Sequence, residues 1–176
     1  ATAFFNDGEF QEPEAFTGCM AAGLHRTVRC HSMMSYYCSP ADPVGHLKTP
    51  MMRAIGDVCK AGQVGAILCI LGSPWHESPG LTVQASGPAG GQQEDYASRL
   101  RLKLAVLEPV ATAHHDRHIE SLVRFTSQTL KIPMLILRTH RRYRMPRLQA
   151  EPFEQMMSLV AEFISETGVE LLRSRG

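Results

Sequence analysis

The apolar run Pro133-Met134-Leu135-Ile136-Leu137 passes without a break into Arg138-Thr139-His140-Arg141-Arg142-Tyr143-Arg144-Met145-Pro146-Arg147. A chain with this junction must bury the first part and find partners for five guanidinium groups at once. Between residues 97 and 149 there are eleven Lys/Arg against three acids, Glu108, Asp116 and Glu120, while the formal net charge of the whole chain is only +1. Residues 1–96 are acidic, with five Lys/Arg and nine Asp/Glu, and residues 150–176 turn acidic again, with five Glu against Arg173 and Arg175. Positive charge is therefore segregated, and segregated arginine is the footprint of a polyanion partner. Arg is preferred to Lys where a planar fork must grip phosphate or stack on a base. The plain alternative is a solvated strand face.

At 176 residues, 44% of them hydrophobic and 20% charged, the chain has the composition of a packed fold and not of a disordered one. No apolar stretch is long enough for a helix to span a bilayer. Five cysteines, Cys19, Cys30, Cys38, Cys59 and Cys69, without tight pairing suggest reduced thiols and a reducing compartment.

Gly, Pro and Ser crowd residues 72–93, which reads as a surface loop or linker. The boundary is placed there, giving an N-terminal α/β extension over 1–93 and a second domain over 94–176. In the first part, Glu14 to Leu24 reads as a short helix and Val28 to Tyr37 as extended chain. Pro50 to Ala61 reads as a helix with Met51, Met52, Ile55, Val58 and Cys59 on one stripe and Gly62 as its stop. Gly65 to Leu71 reads as a buried strand.

In the second part, Leu100, Leu102, Leu104 and Val106 alternate with Arg99, Arg101, Lys103 and Ala105, a period-two pattern that predicts a strand with a basic outer face. Ile119, Leu122, Val123, Thr126 and Leu130 predict an amphipathic helix over 116–131. Ile132 to Leu137 reads as a strand. Phe153, Met156, Met157, Val160, Phe163 and Ile164 predict a second helix over 151–167, capped by Gly168. Val169 to Leu172 then reads as a last short strand. The predicted class is α+β, a split β-α-β (ferredoxin-like) sandwich in the C-terminal half.

Residues 98–175 resemble the small-subunit ribosomal protein S-ten family in three places. His115-Asp116-Arg117-His118-Ile119 stands where the family has Asp-His-Arg-apolar, with the first two residues exchanged. Arg138-Thr139-His140-Arg141-Arg142 is similar to its Arg-Thr-His-Lys/Arg-Arg strand. Gly168-Val169-Glu170 is similar to its closing Gly-Val-Asp/Glu strand. The resemblance implies a structural, non-catalytic, RNA-binding component of a ribosomal small subunit, in the mitochondrial matrix. It implies rRNA and neighbouring proteins of a large assembly as partners, and no cofactor. Arg117, Arg138, His140, Arg141, Arg142, Tyr143, Arg144 and Arg147 would then face RNA, by charge and by stacking. Strand alternation would put Arg138, His140, Arg142 and Arg144 on one face.

Other groups of reactive residues carry less of a pattern. Cys19, His25, Cys30, His31, Cys38 and His46 include zinc-ligand types, but no Cys-x-x-Cys pair, so no metal is expected. His114, His115, Asp116 and His118 open the predicted helix, where Asp116 suits a cap. Ser73-Pro74-Trp75-His76-Glu77-Ser78 holds Ser, His and Glu as sequence neighbours, which is not a triad geometry. Two further readings stand beside the ribosomal one. They are a scaffold subunit of another large mitochondrial assembly, such as a respiratory complex, and a small α/β enzyme using a cysteine or the His114–His118 cluster.

Overall fold

The computed structural model describes residues 4–6, 9–11, 17–28, 30–34, 49–62, 64–73, 80–112, 119–147 and 149–173. A short antiparallel hairpin, β1 (Phe4–Asn6) with β2 (Glu9–Gln11), opens the chain. The main sheet has three described strands, β3 (Ile67–Gly72), β4 (Leu81–Ser86) and β5 (Met134–Thr139), in the order β3-β5-β4. β3 runs parallel to β5, and β4 runs antiparallel to it.

The apolar run thus becomes the central strand. Met134, Leu135, Ile136 and Leu137 are all buried, as a strand covered on both faces requires. Leu135 and Leu137 face one core with α1 (Thr17–Thr27), α3 (Gln93–Leu104) and α5 (Ala150–Arg173). Met134 and Ile136 face a second core with α2 (Pro50–Ala61) and α4 (Glu120–Arg124). The mixed α and β class expected from sequence holds at this level.

Local chemistry explains where α2 begins and ends. The Thr49 hydroxyl accepts the Met52 N–H at 3.2 Å, Pro50 needs no N–H partner in the first turn, and the Gly62 N–H closes on the Val58 carbonyl at 2.8 Å. Its Gly56 packs on Phe125, whose Cζ would lie 3.2 Å from a Cβ there. α4 continues into a π-helical turn, Phe125–Leu130. The Thr126 hydroxyl donates to the Leu122 carbonyl at 3.0 Å and the Ser127 hydroxyl to that of Val123 at 2.7 Å. Such back-bonding bends helices. Lys131, at φ 56°, ends the turn in the left-handed conformation.

Three expected elements differ. The segment 99–106, expected as a strand, lies mostly within α3. Tyr96, Ala97, Leu100 and Leu104 fall at helical spacing and are buried, whereas Leu102 is 74% exposed and Val106 75%. Residues 97–104 contain no β-branched or aromatic side chain, and Leu, Arg and Lys are good helix formers. Leu100 and Leu104, each contributing about 1.5–3 kcal/mol on full burial, decide the face. The second difference is α5, which runs through Gly168 to Arg173, so no closing strand forms at 169–172. The third is β4, a strand inside the Gly/Pro-rich segment, with Leu81 and Val83 buried.

The first two differences remove the outer strands of the split β-α-β plan and the family's closing strand. The shared core expected for Leu102, Leu104, Leu122, Val123, Met156 and Val160 is also divided. Leu104, Met156 and Val160 lie in one core, Leu122 and Val123 belong to the other, and Leu102 is outside both. One sheet takes strands from both sides of residue 93. Among the described residues, no helix is long and apolar enough to cross a membrane.

Candidate functional site

The parallel strands β3 and β5 end side by side, and the chain leaves both at Gly72 and Thr139. In open α/β sheets the carboxyl ends of the strands are where ligands bind. Two arginines of the basic segment are drawn back onto this exit. Arg138 Nη1 donates to the Gly72 carbonyl at 3.5 Å and Arg144 Nη2 to the Ser73 carbonyl at 3.3 Å. Arg144 is only 7% exposed, and its guanidinium covers Gly72. A Cβ at that position would lie 2.6 Å from Nη1, so glycine is what lets the side chain lie there. The Thr139 hydroxyl, also buried, donates to the Leu71 carbonyl at 3.2 Å.

One rung further, Ser73 and His140 come together. The Ser73 N–H donates to the Thr139 carbonyl at 3.0 Å, and Ser73 and His140 are the next residues after the last register pair, Gly72 with Thr139. On the other side, the His140 N–H donates to the Gly80 carbonyl at 2.7 Å. The strand stops here because His140 starts a tight turn over Arg141–Tyr143, its Nδ1 accepting the Arg142 N–H at 3.3 Å. An Nδ1 that accepts leaves the proton of a neutral ring on Nε2.

Glu108 completes the group. Its carboxylate forms an ion pair with Arg142, and its side chain is 14% exposed. The Arg142 guanidinium lies 4.8 Å from the centroid of the Tyr143 ring. Gly80 makes room for the acid: a Cβ there would be 2.5 Å from Glu108 Oε1 and 3.2 Å from the His140 Cβ. Two buried oxygens, Ser73 Oγ and Glu108 Oε1, have no hydrogen-bond partner among the described residues. Ser73 as a whole is 5% exposed.

The residues expected to face RNA are therefore dispersed. The strand ends at Thr139, so no single strand face carries Arg138, His140, Arg142 and Arg144. Arg144 and Tyr143 are buried, at 7% and 3%. Arg142 is engaged by Glu108, and Arg141 Nε donates to Met145 Sδ at 2.7 Å. Arg141 and Arg147 are exposed, and Arg117 lies outside the described residues.

Four more basic residues of the region are paired inside the molecule. Arg99 meets Glu170 at 2.5 Å, Lys103 meets Glu166 at 2.8 Å and Glu162 at 3.5 Å, and Arg101 meets Glu94 at 3.5 Å. Arg124 pairs with Glu120. Arg99 and Lys103 thus set α3 against the acids of α5, while Arg101 and Arg124 pair within their own helices.

The expected Cys/His group is only partly described, since Cys38 and His46 lie outside. His25 Nδ1 stands 2.6 Å from the Cys30 carbonyl, and Cys19, Cys30, Cys59 and Cys69 are in no disulfide among the described residues. Burial pushes the thiols of Cys30 and Cys59 up, which disfavours thiolate. No group of three His, Cys, Asp or Glu among the described residues could hold a metal ion. His114, His115, Asp116 and His118 lie outside them, as do residues 74–79. An open groove of about 420 Å³ between α1 and α5 is lined by Thr27, Ser158, Glu162, Ser165 and Glu166 among others. Both of its carboxylates are tied to Lys103.

Sequence reasoning passed over Glu108, Gly72 and Gly80 and gave Ser73 no role. The signals were present: one of only three acids within the most basic region, and Gly-Ser at the end of a strand-sized apolar run.

No protein-family profile matches the sequence, and no curated protein matches it. Among solved structures, the chain is similar to the catalytic domain of CwlV, an N-acetylmuramoyl-L-alanine amidase from Bacillus (Paenibacillus) polymyxa var. colistinus. The identity is 13% over 90% of this chain and 83% of that one, with a TM-score of 0.49. It is also similar to the N-acetylmuramoyl-L-alanine amidase AmiC2 of Nostoc punctiforme, at 15% identity over 84% and 77% of the two chains, with a TM-score of 0.44. These are likenesses of outline, and they assign no chemistry to this chain. The expected S-ten membership and the ribosomal RNA-binding role are set aside on the structure of the chain itself, and the non-enzymic character expected with them falls with the resemblance that implied it. The helical 98–104 and 169–172 segments and the internally paired basic groups give the physical reason.

Proposed function

We propose that this chain is a small α/β enzyme with its reacting centre at the carboxyl ends of β3 and β5, where Ser73 and His140 meet the substrate. The observation that carries the reading is the Ser73 hydroxyl, buried and without a partner among the described residues, on the rung beside His140. Buried polar groups are nearly always hydrogen-bonded, and each exception calls for an explanation, a catalytic role among them. In this reading Ser73 orients a substrate atom and the neutral His140 ring donates a hydrogen bond from Nε2–H to negative charge developing on the substrate, its Nδ1 being held by the Arg142 N–H. Arg138 and Arg144 position the pair by holding the carbonyls of Gly72 and Ser73.

The test is turnover of chromogenic ester, amide and phosphate-ester substrates by the full chain. Loss of a hydrogen-bond donor aimed at developing charge lowers kcat by about 100-fold or more, so His140→Phe should do so with an unchanged circular dichroism spectrum. Ser73→Ala should reduce turnover as well. Turnover indifferent to both substitutions, or absent with all three substrate classes, overturns the reading.

A further inference from the structure

We infer that the ligand of this site carries an anionic head group, carboxylate or phosphate, and that Glu108 is the chain's own occupant of that group's place on Arg142. The inference rests on the site proposed above. Arg142 is built to receive an anion. Its guanidinium lies over the ring of buried Tyr143, 4.8 Å from the centroid, and its side chain remains 41% exposed. A planar fork held in this way suits bidentate pairing with carboxylate or phosphate.

Glu108 fills the place badly. An ionised carboxylate accepts hydrogen bonds at both oxygens. Here one oxygen pairs with Arg142, and Oε1 is buried over Gly80 with no partner among the described residues. A buried acceptor left without a donor keeps its desolvation penalty. The seat is thus occupied by a group that it satisfies only by half. Two features make the occupant displaceable. Glu108 lies in the short connection between the end of α3 and the bridge of Ala111 to β4, next to exposed Pro109. Its room comes from the missing Cβ of Gly80, which a ligand atom could use equally. An incoming anion would take Arg142, lie against Gly80 beside His140, and send Glu108 out to water.

The experiment is calorimetric titration of the full-length chain at low ionic strength with inorganic phosphate and, separately, with acetate. When a competing state holds the site most of the time, apparent affinity falls by the fraction left open. Glu108→Gln, which keeps shape and loses charge, should therefore tighten anion binding about tenfold. Gly80→Ala, which pushes the acid off its seat without removing a polar group, should shift affinity in the same direction, and it covers the case in which Glu108→Gln fails to fold. Adding Arg142→Gln to Glu108→Gln should abolish the gain, and Arg142→Lys should keep part of it. Preference for phosphate over acetate, or the reverse, assigns the head group. No gain in either the Glu108 or the Gly80 variant, or a gain that survives Arg142→Gln, overturns the inference. The outcomes separate from those of the enzyme reading. Anion binding through Arg142 with turnover indifferent to Ser73 and His140 removes that reading alone, and turnover dependent on both without anion binding removes this one alone.

Discussion

Arg144 and Arg99 carry the same guanidinium, and the fold gives them opposite surroundings. Arg144, at the exit of the central strand, is 7% exposed, covers Gly72 and donates to a backbone carbonyl of the neighbouring strand's exit. Arg99, on the α3–α5 seam, keeps 27% of its side chain in water and meets Asp95, Glu166 and Glu170. A count of positive residues treats the two alike. Water does not: ion pairs at an exposed seam are screened and contribute little, whereas a buried polar group stands or falls by its hydrogen bonds. Arginine segregated along a chain can therefore mean a polyanion partner, or an acidic helix later in the same chain.

The comparison can be broken first at Arg144. Arg144→Met should cost about 3 kcal/mol, because the Ser73 carbonyl loses its donor and a buried side chain is exchanged in a packed place. A urea midpoint within error of the wild type would show that the strand exit is no more demanding than the seam. Gly72→Ala should cost about 1–2 kcal/mol, the ordinary penalty of overpacking, since the new methyl group must move the Arg144 guanidinium. The double variant with Arg144→Met should then lose less than the sum of the two, as expected for residues in contact.

The seam should yield a smaller effect. Lys103→Met, which removes the pairs with Glu162 and Glu166, should change stability by no more than about 0.5 kcal/mol, and added salt should erase the difference. A loss comparable with that at Arg144 would abolish the contrast drawn here.

The smallest effect is one of pH. The hydrogen bond to Glu166, followed by the charges of Glu166 and Glu162 against a smaller opposing effect of burial, holds the Lys103 ammonium above its ordinary value of 10.5. Its pairing therefore contributes in full below 10.5 and fades as pH rises through the raised folded value. Arg99 is raised likewise, foremost by its hydrogen bond to Glu170. The stability difference between wild type and Lys103→Met should be flat from neutrality to about pH 10.5 and shrink above it. A difference that widens with alkali would contradict the sign.

How far the sequence could be read depended on whether the deciding interaction was local. α2 was legible as a unit because its N-cap, its first-turn proline, its apolar stripe and its terminal glycine lie within fourteen residues. β3 and β5 were legible within two or three residues because a short apolar run between turn signals has few other fates. The stretch 97–104 was misread because Leu-Arg-Leu-Lys-Leu satisfies a period of two and also places Leu100 and Leu104 one helical turn apart. Only packing against α5 and the sheet excluded Leu102. β4 was hidden because its six residues, Leu81–Ser86, sit between glycines and prolines, and their alternation matters only once β5 offers an edge. The candidate site was legible least of all, since Ser73, Glu108 and His140 come from three separate segments that only the folded sheet and the connection after α3 bring near one another.

The sequence by itself determined that the chain would bury a central apolar strand, flank it with amphipathic helices and carry its positive charge in one region. These follow from side-chain hydrophobicity and local capping, which act between near neighbours. Only the tertiary structure decided which face of each helix was inside, that α5 answers the charge of α3, and that the arginines after β5 fold back onto the exit of β3. Those outcomes depend on contacts between residues some seventy positions apart, such as Arg144 with Ser73 and Arg99 with Glu170. Desolvation, which exists only once the chain is packed, sets the worth of each.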